Sequence, residues 1–276
     1  MLSVATGMRL DETRMESIER AVASRMAALD VDTGAEYAEM LADPEVLRAE
    51  VEAVIPDVMS LDTAFFRSRE HFELLKQRVI PEILQRLGAG RSIRIWDAGC
   101  STGEETYSTA ILLDMYFRRF ADDAYIMGTD ISSGAIETAT RGTYGESSIE
   151  GLDAREMAYF TGTGGSYELK QRMKERVKFS RHNLIDDLPT WRSAGIACMD
   201  VVVCRDVLLY FQPEVAQRVI IQFYESMNPG AYLILGQAEA MLTVHSPFEH
   251  CVYEDTVYCR KQLLGHGRVI PFFTAH

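Results

Sequence analysis

The chain has 276 residues, 47% of them apolar and 25% charged, and its formal net charge is −13. This length allows one large α/β domain, or such a domain with a small helical one, and the apolar fraction predicts a complete core. The negative charge argues against a protein that follows the phosphates of a nucleic-acid duplex. No run of residues resembles a membrane span or a secretory signal, so we expect a cytoplasmic protein with neither a nucleic-acid partner nor membrane insertion.

The five cysteines show no Cys-x-x-Cys spacing and fall mostly within apolar runs. We therefore expect reduced thiols in the core. His245, His250 and Cys251 come nearest to a metal cluster, but their spacing fits no usual zinc pattern, and no metal site is predicted.

The first sixty residues predict a small helical domain, 1–60. Apolar residues at helical spacing follow a capping box formed by Thr13 and Glu16. They are Met15, Ile18, Val22, Met26 and Leu29. A second short helix centres on Tyr37, and a third begins at Pro44 and is expected to stop at Pro56.

A longer helix is predicted over 70–87, with a kink at Pro81 and an end at Gly88. Beyond it, apolar strand patterns alternate with helical ones, which is typical of a parallel sheet covered on both faces. The strands are expected at 93–97, 124–130, 177–180, 198–204, 231–236 and 252–260, and the helices at 102–118, 132–141 and 213–227. The fold class is therefore α/β, with a doubly wound sheet.

One interval, from Gly142 to Lys178, breaks this alternation. A glycine-rich stretch at 161–165 is followed by Tyr167 and Leu169, which predicts an inserted β-hairpin flap at about 150–180. Either a partner-binding edge or a loop without a special role fits this pattern.

A glycine turn joins the strand at 93–97 to the next helix, in the order Asp97-Ala-Gly-Cys-Ser-Thr-Gly103. Gly99 and Gly103 would let the backbone turn and approach a ligand, and Ser101 or Thr102 could cap the helix. The pattern is typical of a nucleotide-binding turn, although a tight turn without a ligand remains an alternative.

Asp130 ends the following strand, where an acidic side chain can accept hydrogen bonds from both ribose hydroxyls of a nucleoside. Nicotinamide dehydrogenases and S-adenosylmethionine-dependent methyltransferases both fit. The dehydrogenase is weakened because no tyrosine is followed four residues later by lysine, and no histidine is expected beside a strand end. A methyltransferase needs only to bind the cofactor, align the acceptor and exclude water.

Glu104 and Glu105 follow the glycine turn directly. We expect one of them to hold the ammonium group of the cofactor and the other only to favour the helix N-terminus.

Five motifs in order resemble those of the chemotaxis receptor methyltransferases of the CheR type. They are Thr63-Ala-Phe-Phe-Arg67, Ser101-Thr-Gly-Glu-Glu-Thr-Tyr-Ser108, Thr129-Asp-Ile-Ser132, Asn183-Leu184 and Cys204-Arg-Asp-Val-Leu-Leu-Tyr-Phe211. The resemblance, from about residue 7 to 261, implies a class I methyltransferase with a Rossmann-like sheet at 61–276. It also implies S-adenosylmethionine as cofactor, S-adenosylhomocysteine as product and glutamates on chemoreceptor cytoplasmic helices as acceptors.

The resemblance further implies a set of site residues. With Gly99 of the turn, the cofactor site would comprise Thr63, Arg67, Glu105, Asp130, Asn183, Leu184, Arg205 and Asp206; Arg67, Arg205 and Tyr210 would face the reacting centre as catalytic residues. A glutamate carboxylate is already a nucleophile at neutral pH, so it needs a steering cation rather than a strong base. In some family members the inserted β-subdomain docks a receptor tail peptide.

Three departures from the family pattern stand out. The family's usually basic second helix carries three arginines here, offset by two glutamates: Arg14, Arg20 and Arg25 against Glu16 and Glu19. Leu61 and Asp206 replace asparagines, and Asp206 cannot donate the hydrogen bonds of an amide. Cofactor binding is still expected, whereas the receptor specificity stays open.

Three functions follow as hypotheses. The first is a receptor glutamate methyltransferase, whose receptor affinity is weak or depends on tethering because the chain is acidic. The second is a related enzyme with a small-molecule acceptor, and the third is a non-catalytic module that senses S-adenosylmethionine and reports it through the flap.

Overall fold

The computed structural model describes residues 2–9, 12–58, 63–87 and 91–263. Leu61, Gly88 and the side chain of Thr13 lie outside the described residues, so the expectations for them stay predictions. Residues 59–62 are also outside, and the domain boundary at 60 likewise remains a prediction.

Four helices form the N-terminal part: α1 (Leu2–Thr6), α2 (Glu12–Ala28), α3 (Gly34–Met40) and α4 (Pro44–Val58). Glu50 of α4 is buried and joins three of them, because it accepts hydrogen bonds from Arg25 of α2 at 2.7 and 2.9 Å and from the hydroxyl of Tyr37 of α3 at 2.9 Å. A capping box of Thr33 and Glu36 starts α3, where no cap was predicted.

The prediction that the helix beginning at Pro44 stops at Pro56 is wrong, because this helix, α4, continues to Val58. Proline within a helix costs one backbone hydrogen bond, about 3 kcal/mol in an isolated helix. The apolar face of α4, including Val51, Val54 and Ile55, is buried, and packing of such a face supplies most helical stability in proteins.

The predicted helix over 70–87 is divided into α5 (Arg69–Leu74), a π-helical turn (Leu75–Val79) and α6 (Ile80–Arg86). In this turn the N–H of Ile80 donates to the carbonyl of Leu75. Pro81 has no N–H, and the irregularity expected at the proline takes the form of this π turn directly before it.

The other elements of the described residues follow in chain order. The helices are α7 (Glu104–Tyr116), α8 (Arg118–Ala121), α9 (Ser133–Arg141), α10 (Glu146–Ile149), α11 (Ala154–Met157), α12 (Gln171–Lys174), α13 (Leu188–Ser193) and α14 (Pro213–Ser226). The strands are β1 (Arg94–Ala98), β2 (Tyr125–Asp130), β3 (Thr143–Tyr144), β4 (Phe160–Thr163), β5 (Ser166–Leu169), β6 (Val177–Arg181), β7 (Met199–Cys204), β8 (Met227–Leu235), β9 (Glu249–Tyr253) and β10 (Thr256–Arg260). Short 3-10 helices cover Leu208–Tyr210 and Gln237–Thr243.

The main sheet has the strand order β6-β2-β1-β7-β8-β10-β9. Its first five strands are parallel, β10 is antiparallel to β8, and β9 is antiparallel to β10. The single strand predicted over 252–260 is wrong, since Glu254, with φ of 50°, and Asp255 turn the chain between β9 and β10. The strand order reverses at β1, which leaves a crevice outside the carboxyl ends of the strands.

Both faces of this sheet are covered, as a doubly wound fold requires. Successive residues of β1 point to opposite sides: Ile95 packs into one core, and Trp96 packs into the other. The Trp96 ring lies 5.0 Å from Trp191 and 5.4 Å from Phe223, and its indole N–H donates to Thr129. The predicted α/β fold is confirmed.

The predicted hairpin insertion is also confirmed, with different bounds. β4 and β5 form an antiparallel hairpin, and β3, which precedes the expected start at 150, pairs with β5. The end at 180 is wrong, because β6 belongs to the main sheet. Phe65 packs against Tyr144 of β3 and Phe160 of β4 with ring centroids 4.8 Å apart, which ties the insertion to the segment that carries Arg67.

The five cysteines are free thiols. Cys100, Cys204 and Cys259 are buried as expected, but Cys198 is exposed because it precedes β7 in a turn. Among the described helices, none combines the length and the apolar character that crossing a membrane requires.

Candidate active site

A cavity that is partly open to solvent lies outside the carboxyl ends of β1, β2, β6 and β7. Small-molecule ligands of open α/β sheets bind in this position. All ten predicted site residues line it: Thr63, Arg67, Gly99, Glu105, Asp130, Asn183, Leu184, Arg205, Asp206 and Tyr210. The five motifs, far apart in the chain, therefore meet in one place.

The glycine turn and the end of β2 are joined directly. The Gly99 N–H donates to the Thr129 carbonyl at 2.8 Å, and the Ser101 N–H donates to Asp130 at 2.9 Å. Gly99 has φ of 87°, and a Cβ there would lie 2.4 Å from Cγ2 of Val207. The backbone conformation and the neighbouring loop therefore both require glycine at this position.

The expected helix cap is wrong. Gly103 is the N-cap of α7 and makes no side-chain cap. Thr102 instead donates its hydroxyl to the Glu104 carboxylate at 2.6 Å. Gly103 is also absent from the residues that line the cavity, so its predicted approach to a ligand is not seen.

Asp130 has a partly satisfied carboxylate at the rim of the cavity. Its two oxygens accept the N–H groups of Ser101 and Ser132, both at 2.9 Å. Burial raises the pKa of this carboxyl, and these N–H groups oppose the rise. A carboxylate has about four acceptor positions, so Asp130 can still accept from the hydroxyls of a ligand.

The structure separates the roles of the two glutamates after the turn. Glu104 is buried away from the cavity and accepts from Thr102 and from Ser148 at 2.9 Å. Burial raises its pKa. Glu105 lines the cavity, so it is the one available to a ligand.

Arg205 and Glu105 form a buried ion pair, with 2.5 Å between Nη1 and Oε1. Their side chains are only 6% and 19% exposed. Burial lowers the pKa of Arg205, but the adjacent Glu105 carboxylate outweighs burial and raises it. The same Nη1 donates to the Arg67 carbonyl at 3.2 Å, which links the two predicted catalytic arginines.

Arg67 differs from Arg205 in its exposure. Its guanidinium lies 3.6 Å from the Asp206 carboxylate, and both side chains are nearly half exposed, at 49% and 44%. A cation that is loosely paired at the mouth of a cavity can attract an anionic group from solvent.

Asp97, the first residue of the turn motif, lies behind this ion pair. It is buried, and it accepts the Thr106 hydroxyl at 2.5 Å. Its other oxygen has no hydrogen-bond partner among the described residues. Burial, and then the nearby Glu105, raise the pKa of Asp97 well above its ordinary value.

Several non-glycine residues around the cavity have a left-handed backbone: Phe66, Ser68, Ser101 and Asp206, with φ between 48° and 59°. Such a conformation costs about 1–3 kcal/mol and persists only where neighbours enforce it. On the Arg67 side, the Phe65 N–H donates to the Ser148 carbonyl at 2.8 Å and the Phe66 N–H to the Ser108 hydroxyl at 2.9 Å.

The N-terminal strap, residues 2–9, closes one side of the cavity, and the sequence reasoning missed it. Thr6 and Met8 line the cavity, together with Ile55 of α4. The strap is held by Asn183, whose amide donates to the Ala5 carbonyl at 3.0 Å, and by the Arg9 N–H, which donates to the Tyr210 carbonyl at 2.8 Å. The start of the resemblance near residue 7 is the only signal that could have found it.

The expectation that no histidine lies beside a strand end is wrong. His182 follows β6 directly and lines the cavity, and its N–H donates to the Asp130 carbonyl at 2.8 Å. Burial lowers its pKa, and its Nε2 has no partner among the described residues. The argument against a dehydrogenase from a missing histidine therefore fails.

A family model described as CheR methyltransferase, SAM binding domain matches residues 62–257. The chain belongs to this CheR methyltransferase family. It is 34% identical over 197 residues to chemotaxis protein methyltransferase 1 of Pseudomonas aeruginosa, covering 69% of this chain and 70% of that protein. It is 30% identical to a probable chemotaxis protein methyltransferase of Rhizobium etli, over 87% of this chain and 89% of the other.

A third relative of the CheR-family chain is an uncharacterised 104.1 kDa protein of Rhodobacter capsulatus, 31% identical over 90% of this chain. The chain spans only 25% of the length of that protein. Family membership decides between the two cofactor classes that the turn left open. The CheR-family chain is an S-adenosylmethionine-dependent methyltransferase with a class I, Rossmann-like fold.

The groups that line the cavity fit S-adenosylmethionine by their chemistry. In sheet order it presents Arg205 after β7, Gly99 after β1, Asp130 after β2 and Asn183 after β6. It thus offers a charged end at Arg205, a close backbone turn, a hydroxyl acceptor and, beyond β2, the Asn183 amide. Among the described residues, no three His, Cys, Asp or Glu side chains group as a metal site.

Proposed function

We propose that this chain, in the cytoplasm, transfers the methyl group of S-adenosylmethionine to glutamate carboxylates on chemoreceptor helices, forming methyl esters. The observation that carries the proposal is the meeting of all ten residues implied by the resemblance and the turn in one cavity. Relatives named chemotaxis protein methyltransferases support the receptor as acceptor. Family membership favours an enzyme over the sensing module.

In this proposal each cofactor group has a partner. Asp130 accepts from the ribose hydroxyls with the capacity that Ser101 and Ser132 leave, and Glu105 holds the ammonium group while it stays paired with Arg205. Thr63, Gly99 and Asp206 also line the cavity, and we assign Asn183 and Leu184, which follow the edge strand β6, to the base.

The chain's part in the reaction is to orient and to exclude water. When bound, S-adenosylmethionine supplies a methyl carbon that its sulfonium makes electrophilic. Arg67 attracts the substrate carboxylate through a loose contact, because a bidentate clamp would reduce the reactivity of the oxygen. Arg205 adds a second positive charge near the carboxylate. Tyr210 either donates a hydrogen bond to the carboxylate or forms part of the wall that excludes water. No general base is needed, since the nucleophile is already ionised.

The test uses cofactor labelled in its methyl group and cytoplasmic fragments of chemoreceptors from the same organism. We expect protein-bound label that mild base releases as methanol, because methyl esters hydrolyse there and methylated amines do not. A fragment whose candidate glutamates are changed to alanine is the control. Label absent from every receptor fragment, under conditions where S-adenosylhomocysteine binds, would overturn the receptor assignment.

A second acceptor class, a small-molecule carboxylate, is favoured by one observation on α2. Of the arginines expected to face a receptor, Arg25 is turned inward and forms two hydrogen bonds with the buried Glu50. Arg20 donates to the Glu16 carbonyl and the Ser17 hydroxyl of its own helix. Label that remains in the small-molecule fraction of a cell extract, and not on receptor fragments, would select this class.

We further propose that a receptor tail peptide adds to β4. This strand pairs only with β5 among the described residues, so its other edge is available for pairing. An extended peptide can add to such an edge through backbone hydrogen bonds. The expected result is saturable binding of a tail peptide by calorimetry, and an equal affinity for a scrambled peptide would contradict it.

A further inference from the structure

Glu239 is a fully buried carboxylate that does not line the cavity. It lies in the short 3-10 helix after β8. One of its oxygens accepts the N–H groups of Asp206 and Gly236, both at 2.9 Å. The other accepts those of Val207 at 2.8 Å and Leu209 at 3.3 Å. Four backbone donors thus converge on one side chain.

Three of these donors belong to the loop that follows β7, residues 205–211. Asp206 is left-handed, with φ of 59°, and Val207 is right-handed, with φ of −117° and ψ of −49°. Successive residues of opposite hand direct their N–H groups to the same side and form a concave anion site. Here the anion is a side chain of the protein itself, which accounts for the strained backbone at Asp206.

This loop carries five residues of the cavity wall: Arg205, Asp206, Val207, Tyr210 and Phe211. We propose that Glu239 is the positioning residue of the methyltransferase site. It holds Asp206 in the left-handed conformation and thereby aims Asp206 and Arg205 at the cofactor. The inference rests on the proposed cofactor site, and it assigns a role to a residue that touches neither cofactor nor acceptor.

Glu239→Gln tests this role with little change in the size of the side chain. It preserves the shape of the side chain, but it offers one acceptor oxygen and turns an NH₂ group toward two N–H donors. Two of the four hydrogen bonds are lost, and buried donors are left unpaired. We expect Glu239→Gln to weaken S-adenosylhomocysteine binding about tenfold, because the loop no longer holds its bound conformation.

The control is Glu50→Gln, a change at another buried glutamate, far along the chain from the loop. Calorimetric titration with S-adenosylhomocysteine gives Kd, and thermal unfolding gives Tm, for both variants. We expect both to lower Tm and only Glu239→Gln to raise Kd. Equal Kd values for the two variants and the native protein would overturn the inference.

A double variant separates positioning from general loosening. If Glu239 acts through Asp206, Glu239→Gln combined with Asp206→Ala loses little more affinity than the weaker-binding single variant. Additive losses would contradict this route. Failure of the native protein to bind S-adenosylhomocysteine at all would refute the cofactor assignment instead, so the two failures are distinguishable.

Discussion

At the residue scale, the two ion pairs that line the cavity differ in their burial. The Arg205–Glu105 pair is almost closed to solvent, whereas the Arg67–Asp206 pair is nearly half exposed and 3.6 Å long. An exposed pair contributes about 0–1 kcal/mol, but breaking a buried pair leaves an uncompensated charge. We therefore expect the first pair to fix the geometry of the proposed site, and the second to let Arg67 exchange Asp206 for a substrate carboxylate.

The buried pair gives the first prediction. Glu105→Gln should lower the free energy of unfolding by about 3 kcal/mol and weaken S-adenosylhomocysteine binding at least tenfold, because Arg205 is left without its anion. Urea unfolding and calorimetry measure the two effects. The exposed Glu249→Gln is the matched control and should change neither. An unchanged Kd in Glu105→Gln would show that Glu105 does not contact the cofactor.

His71 gives a prediction about pH. It is buried near Arg205, and burial, with a smaller contribution from Arg205, lowers its pKa from 6.5 to about 4. Between pH 6.5 and 4 the unfolded chain therefore binds more protons than the folded one, so the free energy of unfolding falls on acidification. The contribution of His71 to the free energy of unfolding is present in full above about pH 6.5. It is roughly 3 kcal/mol, and it is lost as the pH falls toward 4.

Urea unfolding at pH 7 and pH 5 tests this. His71→Leu should reduce the difference between the free energies of unfolding at pH 7 and pH 5. His245→Gln, a change at an exposed histidine, should leave this difference as in the native protein. Parallel losses in all three proteins would mean that His71 does not cause the pH dependence.

Which site residues could be predicted depended on sequence motifs. The ten predicted residues, all of which line the cavity, lie in recognisable motifs or at a predicted strand end. His182 was within reach, since it follows a predicted strand almost at once. Glu239 was not, because its role depends on contacts with residues far away in the chain. For the strap residues Thr6 and Met8, the start of the resemblance near residue 7 was the one signal.

At the element scale, local patterns predicted which segments form strands and helices better than where those segments end. The two prolines show why. Pro56 lies inside α4 because the buried face of that helix outweighs one lost hydrogen bond, and Pro81 is accommodated by a π turn. The β9–β10 hairpin was missed because its turn, Glu254-Asp255, lacks the glycine or asparagine that usually marks one.

The N-terminal strap gives the prediction at this scale. Gly7 has φ of 72°, and a Cβ there would lie 2.7 Å from Val215 and 2.9 Å from Ile185. Gly7→Ala should therefore displace the strap, lower stability by about 1–3 kcal/mol and weaken S-adenosylhomocysteine binding several-fold. Thermal unfolding and calorimetry measure both.

Gly34→Ala is its matched control, since a Cβ at Gly34 meets nothing within 4 Å. It should be neutral or stabilising by up to about 1 kcal/mol. If Gly7→Ala kept the native Kd while losing stability, the strap would be a structural element without a part in the cofactor site.

At the scale of the whole molecule, the net negative charge of the chain predicts a low affinity for a receptor. The chain carries a formal charge of −13, and Arg25 of the expected basic helix is neutralised by its ion pair with Glu50. The resemblance implies that the basic second helix of the family lies along an acidic receptor bundle, and a surface with this charge attracts such a bundle only weakly. We predict weak binding to a receptor fragment without its tail and at least tenfold tighter binding to the fragment with it, by calorimetry at low and physiological salt. Tight, salt-insensitive binding to the tail-less fragment would contradict this.

The sequence by itself determined the α/β class, the glycine turn, the acid at the end of β2 and, mostly by resemblance, ten of the residues that line the cavity. These follow from local periodicity and from short motifs, which need no knowledge of distant contacts. Only the tertiary structure decided which of the paired glutamates faces the cavity, that an N-terminal strap closes it, and that buried Glu239 shapes the loop after β7. Those features arise where residues far apart in the chain pack together, and the desolvation and hydrogen bonding that define them exist only in the folded protein.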